Sequence, residues 1–399
     1  MSTALKRCVR CLFPETHEAL TFDENGVCSI CKTIEFKKSK IDWAGREKEL
    51  GKIFDKYRGK ADYDCIIPFS GGKDSTFVAY TTVVKYGLKP LIVSFDHGFY
   101  RPNHLQNVEK TLKTLGADYL RFRPNWKLVQ KLMLESFVRK GDFCWHCHAG
   151  IFTYPLQIAI KFKVPLVVWG EPTAEHTSYY SYEEFEEYDE EHYNRHINIG
   201  INAEDMVGYL GGSVTQRDLK PFTFPPQKEL RELGCKNIYL GSYIPWEIET
   251  IVGTLKKELG WHGDWVEGTP PQYDFDKIEC AMQGVRDYIK YMKRGYGRTN
   301  QIMARELREG RVTLDQANGL IAKYDGKRPA SLDVFLEYSG LSEKEFFDIV
   351  ATHVVDPWRH DPSKDERGPE PADMKQWDRT CKTCTGCESS IVAPEKAAA

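Results

Sequence analysis

Residues 64–76 read Asp64-Cys65-Ile66-Ile67-Pro68-Phe69-Ser70-Gly71-Gly72-Lys73-Asp74-Ser75-Thr76, and this stretch decides the fold. The apolar run ending at Ile67 has the length and composition of a buried strand. Residues 77–86 read as a helix closed by Gly87. A glycine-rich turn between a strand end and a helix start leaves backbone N–H groups unpaired and pointing outward, at the positive end of the helix dipole. Paired glycines let the backbone approach an anion closely. Lys73 adds a cation, and Ser70, Ser75 and Thr76 add hydroxyls. The expected ligand is a phosphate or pyrophosphate.

A Walker A loop needs a glycine five residues before its Gly-Lys pair and Ser or Thr directly after it. Ile67 and Asp74 hold those positions, so that reading fails. The residues match Ser-Gly-Gly-x-Asp-Ser and resemble the PP-loop of the ATP pyrophosphatase family. The resemblance implies cleavage of ATP between the α and β phosphates, release of pyrophosphate and adenylation of a substrate oxygen.

Working outward, residues 64–171 alternate strand and helix. Strands are expected at 91–96, 118–122 and 165–169, and helices at 102–115, 126–140 and 151–162. This rhythm predicts an α/β fold, a doubly wound parallel sheet with helices on both faces. Ligands of such sheets sit outside the strand carboxyl ends. Three polar clusters lie there: the 68–76 loop, Ser94-Phe95-Asp96-His97-Gly98, and Gly170-Glu171-Pro172. Together they can converge on one nucleotide. A plain β–α loop with a capping Asp is the bland reading of the second. A fifth strand is expected at 238–243.

On the amino-terminal side, Cys8-Val9-Arg10-Cys11 and Cys28-Ser29-Ile30-Cys31 flank a turn signal, Asp23-Glu24-Asn25-Gly26. Two Cys-x-x-Cys knuckles so spaced bring four thiolates to one tetrahedral point, a closed structural zinc site in the manner of a zinc ribbon. An iron–sulfur cluster is the rival occupant. Cys144-Trp145-His146-Cys147 offers a second metal or cluster site, a substrate-side role, or plain packing. Cys381, Cys384 and Cys387 make a third cysteine group in a Pro-rich, charged tail read as flexible.

The chain divides, on this reading, into a cysteine knuckle at 1–50 and a nucleotide-binding domain at 51–245. A helical region at 246–355 and a flexible tail at 356–399 follow. Residues 173–235 break the β/α rhythm. Within them Glu183 to Glu191 is densely acidic, which reads as a solvated helix face or a docking surface. Lys293 to Asn300 is a basic, glycine-rich loop suited to a diphosphate or a carboxylate.

Composition sets bounds. The net charge of −3 over 399 residues supplies no global field for nucleic acid. No run approaches a membrane span, and the first residues lack an apolar signal core. Twelve cysteines arranged partly as Cys-x-x-Cys suit metal binding in a reducing compartment, so the expected location is cytoplasmic.

With knuckle and loop both in hand, the chain resembles the N-acetyl sugar amidotransferases of bacterial surface-polysaccharide and nonulosonic-acid pathways. The resemblance covers roughly residues 6–355 and rests on the four amino-terminal cysteines and on Pro68 to Thr76. It rests also on Cys144 to Gly150, Val167 to Glu171, Leu240 to Trp246 and Gly295 to Asp325. It implies ATP-dependent conversion of a sugar acetamido group to an acetamidino group, on a nucleotide-linked or nonulosonate-type sugar. It implies ATP, Mg²⁺ and Zn²⁺ as cofactors, with Ser70, Lys73 and Asp74 at the reaction and Asp74 on magnesium. Glu171 is a second magnesium candidate.

No glutaminase is legible: Ser2 follows Met1, and no cysteine lies in a Gly-x-Cys-x-Gly turn. The resemblance agrees, implying a separate glutaminase with a cyclase-like, ammonia-channelling barrel, docked near the strand carboxyl ends. The alternative is a tRNA-thiolating enzyme, in which Cys235 or Cys280 would join Cys144 and Cys147 on an iron–sulfur cluster. The acidic balance and the acidic insertion speak against it.

Overall fold

Strand β1 (Cys65–Pro68) is four residues long, and its Cys65, Ile66 and Ile67 are completely buried. Such a run suits a central strand covered on both faces. In the computed structural model, which describes residues 5–177, 179–186 and 188–371, β1 lies at the middle of a five-stranded sheet. Its partners are β2 (Pro90–Phe95), β3 (Asp118–Phe122), β4 (Leu166–Trp169) and β5 (Lys236–Tyr239). All neighbours are parallel, in the order β3-β2-β1-β4-β5. Ile66 is paired with Leu91 on one side and Val167 on the other. β2 is buried at every position, whereas edge strand β3 exposes Asp118 and Arg121. The chain steps outward from β1 to β3 and then returns to the other flank of β1. The topological switch therefore falls between β1 and β4, where open α/β sheets bind their ligands.

Helix Trp145–Phe162 covers one face. Its Trp145, Leu156 and Ile158 share a buried cluster with Phe95, Val167 and Trp169. Gly150 sits on the Phe95 ring, where a Cβ would come within 2.2 Å of Cζ. β3 and the helices Pro102–Leu115 and Trp126–Lys140 have the bounds that periodicity assigns them.

Several expectations need correction. The helix after the glycine loop begins at Lys73, and its second half is a wider π turn, Thr81–Lys85. The helix placed at 151–162 begins six residues earlier, so Cys147 lies in its first turn. β5 ends at Tyr239, and Leu240–Ser242 is a tight 3-10 turn rather than strand. Gly241 there is wedged between Pro172 and Trp246; a Cβ would stand 2.6 Å from Pro172 Cδ.

Among its described residues the acidic stretch is not a continuous helix: Tyr182, Glu186 and Tyr188 are buried, and Glu190–His192 forms a single helical turn. Residues 357–371, within the segment expected to be a flexible tail, pack on the fold. Trp358 is buried with its Nε1 donating to the Met292 carbonyl, and Arg328 pairs with Arg367 in a parallel bridge. Cys381, Cys384 and Cys387 lie outside the described residues.

Two compact units emerge, and neither is continuous in sequence. One gathers the described parts of 1–28, 136–143 and 264–399; the other holds 29–135 and 144–263, with the whole sheet. The sequence reading drew its boundaries in chain order. In the first unit Phe137 stacks on Phe346 at 5.2 Å and Phe143 packs on Phe335 at 4.8 Å, which binds residues 136–143 to the carboxyl-terminal helices. No helix among the described residues is long and apolar enough to cross a membrane.

Candidate nucleotide site and four-cysteine centre

The loop Ser70–Gly72 leaves β1 at the switch point. Gly71 takes φ +79°, a left-handed conformation open to glycine at little cost. It also lies against the helix Pro102–Leu115: a Cβ would meet Val108 Cγ2 at 2.5 Å and His104 Cε1 at 2.6 Å. Gly71→Ala should therefore lower stability by roughly 1–3 kcal/mol and distort the loop. A thermal melt in which the variant equals wild type would refute that.

Ser75 braces the loop from within. Its Oγ accepts from the N–H of Ser70 at 3.2 Å and of Gly71 at 3.0 Å, and Ser70 Oγ accepts from Gly72 N at 3.3 Å. This corrects the expectation that the Gly71 and Gly72 N–H groups are unpaired, and it gives Ser75 a role in bracing the loop. The donors left for an anion lie one step on. Gly72 caps the helix Lys73–Tyr80 without a side-chain hydrogen bond, so the first turn has no cap competing for its N–H groups. Thr76 Oγ1 is buried and has no hydrogen-bond partner, an orphan that a phosphate oxygen would satisfy.

Lys73 is buried and its Nζ meets Asp74 Oδ2 at 2.8 Å. The other oxygen, Asp74 Oδ1, is buried and unbonded. One carboxylate oxygen thus holds the lysine, and the other is a hard oxygen donor of the type Mg²⁺ takes. Gly170, at the end of β4, lies beside it: a Cβ there would be 3.6 Å from Asp74 Cβ. β1 and β4 therefore deliver Asp74 and Gly170 to one place. Glu171 Oε2 lies 2.6 Å from His176 Nε2.

The cluster after β2 is tied into the fold by its own hydrogen bonds. Ser94 Oγ donates to the Phe69 carbonyl, tying β2 to the base of the loop. Asp96, 1% exposed, accepts from Gly98 N at 2.8 Å, from Arg121 Nη2 at 2.6 Å and from Arg123 Nε at 2.6 Å. Burial alone would raise its carboxyl. The Arg123 and Gly98 hydrogen bonds, with the charges of both arginines, hold it below the ordinary value instead. Asp96 is thus an internal anchor, and Phe95 belongs to the core. The polar groups not legible in the sequence here are Arg121 and Arg123, at the carboxyl end of β3, and Arg101 and His104, buried alongside His97. Their alternate spacing, Arg121-x-Arg123, was the available signal.

Beyond β4 a second polar cluster is buried. Glu186 Oε2 accepts from Ala174 N at 3.3 Å, and Glu186 Oε1 lies 3.7 Å from His192 Nδ1. Burial pushes the Glu186 carboxyl up to about 7, against the pull of the Thr173 and Ala174 donors and of His176. An acid whose folded value is raised binds its proton more tightly folded than unfolded. Its ionisation therefore costs stability progressively as pH rises from about 4.5 to about 7, by up to roughly 3 kcal/mol. Glu186→Gln should flatten that dependence and raise stability at pH 8. Parallel melting curves against pH for the two proteins would contradict the assignment.

The four amino-terminal cysteines do converge. Cys8, Cys11, Cys28 and Cys31 are all buried, and their sulfurs lie within 4.8 Å of one another. Cys11 Sγ and Cys28 Sγ are 3.6 Å apart, and Cys28 N donates to Cys8 Sγ at 3.3 Å. Leu12 takes φ +65°, turning the chain sharply after the first pair. Four thiolates so placed fit a metal.

This is the only such group of three or more ligands among the described residues. Neither Cys235 nor Cys280 joins Cys144 and Cys147 in one. Burial pushes the Cys235 thiol up to about 11, which disfavours the thiolate a metal needs. Cys144 and Cys147 instead flank the start of helix Trp145–Phe162, with Cys144 at its N-cap.

The basic loop at 293–300 also reads differently once folded. Lys293 and Arg294 close one helix, Gln283–Arg294, and Arg298 opens the next, Arg298–Arg308. The N–H groups of Gly297, Thr299 and Asn300 all point at Asp325, at 2.9, 2.9 and 3.1 Å. Arg298 is buried on Asp287 at 3.0 Å. The loop already holds a carboxylate, its own.

Residues 267–365 match the family model described as LPS biosynthesis protein WbpG-like, C-terminal domain. Among curated proteins none matches in sequence. Among solved structures, the U34-tRNA thiolase NcsA from Methanococcus maripaludis with its [4Fe-4S] cluster is similar over 80% of this chain and 89% of that one. The identity is 15% and the TM-score 0.29, too slight to bear on the reaction. The Ser70-Gly71-Gly72-Lys73-Asp74-Ser75 loop thus lies at the switch point of a parallel sheet, where the sequence resemblance places it.

Proposed function

We propose that this PP-loop chain, with its WbpG-like carboxyl-terminal domain, is an ATP-dependent amidotransferase acting on an N-acetylated sugar of lipopolysaccharide biosynthesis. The observation that carries the reading is Asp74 at the switch point, bonded to Lys73 through one oxygen and open through the other, in a chain whose residues 267–365 match that domain.

An amide carbonyl is a weak electrophile, and its oxygen is a poor leaving group. Attack of that oxygen on the α-phosphorus of ATP breaks the bond to the β-phosphate, releases pyrophosphate and forms an O-adenylyl imidate. Ammonia then adds to the imidate carbon and AMP departs with the former carbonyl oxygen, leaving an acetamidino group. Lys73, the first-turn N–H groups and Thr76 Oγ1 bind and neutralise the departing pyrophosphate. Asp74 Oδ1 would hold magnesium, whose charge offsets that of the phosphates. The four cysteines hold a structural zinc, since a single ion suits sulfurs this close, whereas a four-iron cluster would spread them.

The nitrogen comes from a separate glutaminase with a cyclase-like partner, because no glutaminase motif is present in the chain. Channelling suits the chemistry, since free ammonia near neutral pH is mostly protonated. The test is a heavy-oxygen label placed in the sugar's acetamido carbonyl. The label should appear in AMP when ATP, Mg²⁺ and ammonium are supplied. Its retention in the sugar, or turnover with glutamine alone, would overturn the respective half of the proposal.

A further inference from the structure

We propose that Arg121 and Arg123, at the carboxyl end of β3, bind the carboxylate of an acidic acetamido sugar. The proposal rests on the amidotransferase reading for the sugar, and on the arginine pair itself for the anion. Both residues, with every group that holds them, belong to the sheet unit.

Arg121 is the fourth residue of β3 and Arg123 follows the last, so they stand two apart on one face. Asp96 Oδ2 accepts from Arg121 Nε at 3.0 Å and Nη2 at 2.6 Å, and from Arg123 Nε at 2.6 Å. Asp96 is buried, whereas the side chains of Arg121 and Arg123 are 31% and 65% exposed. A buried carboxylate thus anchors two guanidiniums whose outer ends reach solvent. Arg121 also lies 5.1 Å over the Tyr100 ring, which holds it further. Among the described residues, Arg121 Nη1 and both Nη atoms of Arg123 make no hydrogen bond.

Two arginines against one aspartate leave one net positive charge. Guanidiniums held this close repel, and an anion across their free ends would relieve the repulsion. A single carboxylate matches that charge, and its two oxygens suit the paired Nη donors of Arg123. A diphosphate would bring twice the charge.

The place suits a second substrate contact. β3 is two strands from β1, roughly 10 Å at ordinary strand spacing, and both strands end at the ligand-binding edge. Packed rings join the two points: a Cβ on Gly71 would meet His104, whose ring lies 5.0 Å from that of Tyr100, beneath Arg121. Trp126, 41% exposed, lays its six-membered ring over Gly98, whose N–H donates to the other oxygen of Asp96. An aromatic face beside an anion site suits a ring that is apolar on one side and charged at one end.

The experiment is calorimetric binding of N-acetylneuraminate to the full chain, with the PP-loop presaturated by α,β-methylene-ATP. Its methyl ester keeps the acetamido sugar and removes the charge. The ester should bind roughly tenfold more weakly than the acid. Arg123→Ala should weaken the acid by roughly tenfold or more and leave the ester unchanged. Arg123→Lys should restore part of the lost affinity, since the charge returns without the fork. An unchanged melting curve for Arg123→Ala separates loss of the contact from loss of fold. Equal affinity for acid and ester, or of wild type and Arg123→Ala for the acid, would overturn the proposal. Failure of the acid to bind would do the same, and UDP-N-acetylglucosamine binding that then depended on Arg123 would assign the pair to phosphate. Because the readout is binding, failure of amidine formation would sink the proposed reaction without touching this result.

Discussion

Removing the Lys73 ammonium is expected to lower pyrophosphate formation by about 10²–10³-fold while leaving the sheet intact. Lys73 and Asp74 sit on the first turn of a helix at the sheet's carboxyl edge, outside the apolar cluster built from Phe95, Trp145 and Trp169. Their 2.8 Å pair means that each single variant disturbs the other residue: Lys73→Ala leaves the Asp74 carboxylate without that counter-charge, and Asp74→Ala takes a counter-charge from the buried ammonium. The double variant Lys73→Met/Asp74→Asn removes both charges together. It should melt closer to wild type than either single change and still make no pyrophosphate. Coupled-enzyme detection of pyrophosphate, with melting curves beside it, is the check. Activity within a few-fold of wild type in Lys73→Ala would remove the loop from the chemistry.

The second large effect belongs to the metal centre. Paired replacement Cys28→Ser/Cys31→Ser takes away two of four thiolate ligands. Metal analysis should show the loss of about one ion per chain, and the amino-terminal region should unfold well below the melting point of the rest. The scale follows from the ion's share of folding energy, roughly 10–16 kcal/mol for structural zinc in small peptides. The neighbourhood is ill suited to doing without it. Arg7, one residue before Cys8, reaches the Gly295 carbonyl at 3.0 Å and Asn300 Oδ1 at 3.1 Å, and Thr16 Oγ1 donates to the Arg294 carbonyl. Loosening the knuckle should therefore be felt in the carboxyl-terminal helices. An unchanged metal content in the paired variant would refute the ligand assignment. Iron and sulfide in place of zinc would keep the ligands and correct the occupant.

Much of the site was legible because its signals are local. A strand, two glycines and a helix start are contiguous from Cys65 to Tyr80, and two Cys-x-x-Cys pairs announce their own convergence. What stayed hidden depends on contacts distant in sequence. Arg121 and Arg123 gain their meaning only when β2 and β3 align and bring them to Asp96, twenty-five and twenty-seven residues away. Residues 136–143 leave the sheet unit because Phe137 and Phe143 pack on Phe346 and Phe335, about two hundred residues on. Leu240–Ser242 follows a strand and reads as its continuation, yet Pro172 and Trp246 lie so close to Gly241 that a Cβ would clash, and the segment is a turn. The basic loop looked open to an external anion because nothing in the 293–300 stretch shows that Asp325 fills it.

The central claim, that ATP activates an acetamido oxygen for replacement by nitrogen, is tested most directly by mass spectrometry of acetamido sugars incubated with the purified chain, ATP, Mg²⁺ and ammonium. The expected result is a sugar product in which one oxygen has been exchanged for NH, formed in step with AMP. ADP as the nucleotide product, with every sugar recovered unchanged, would contradict it.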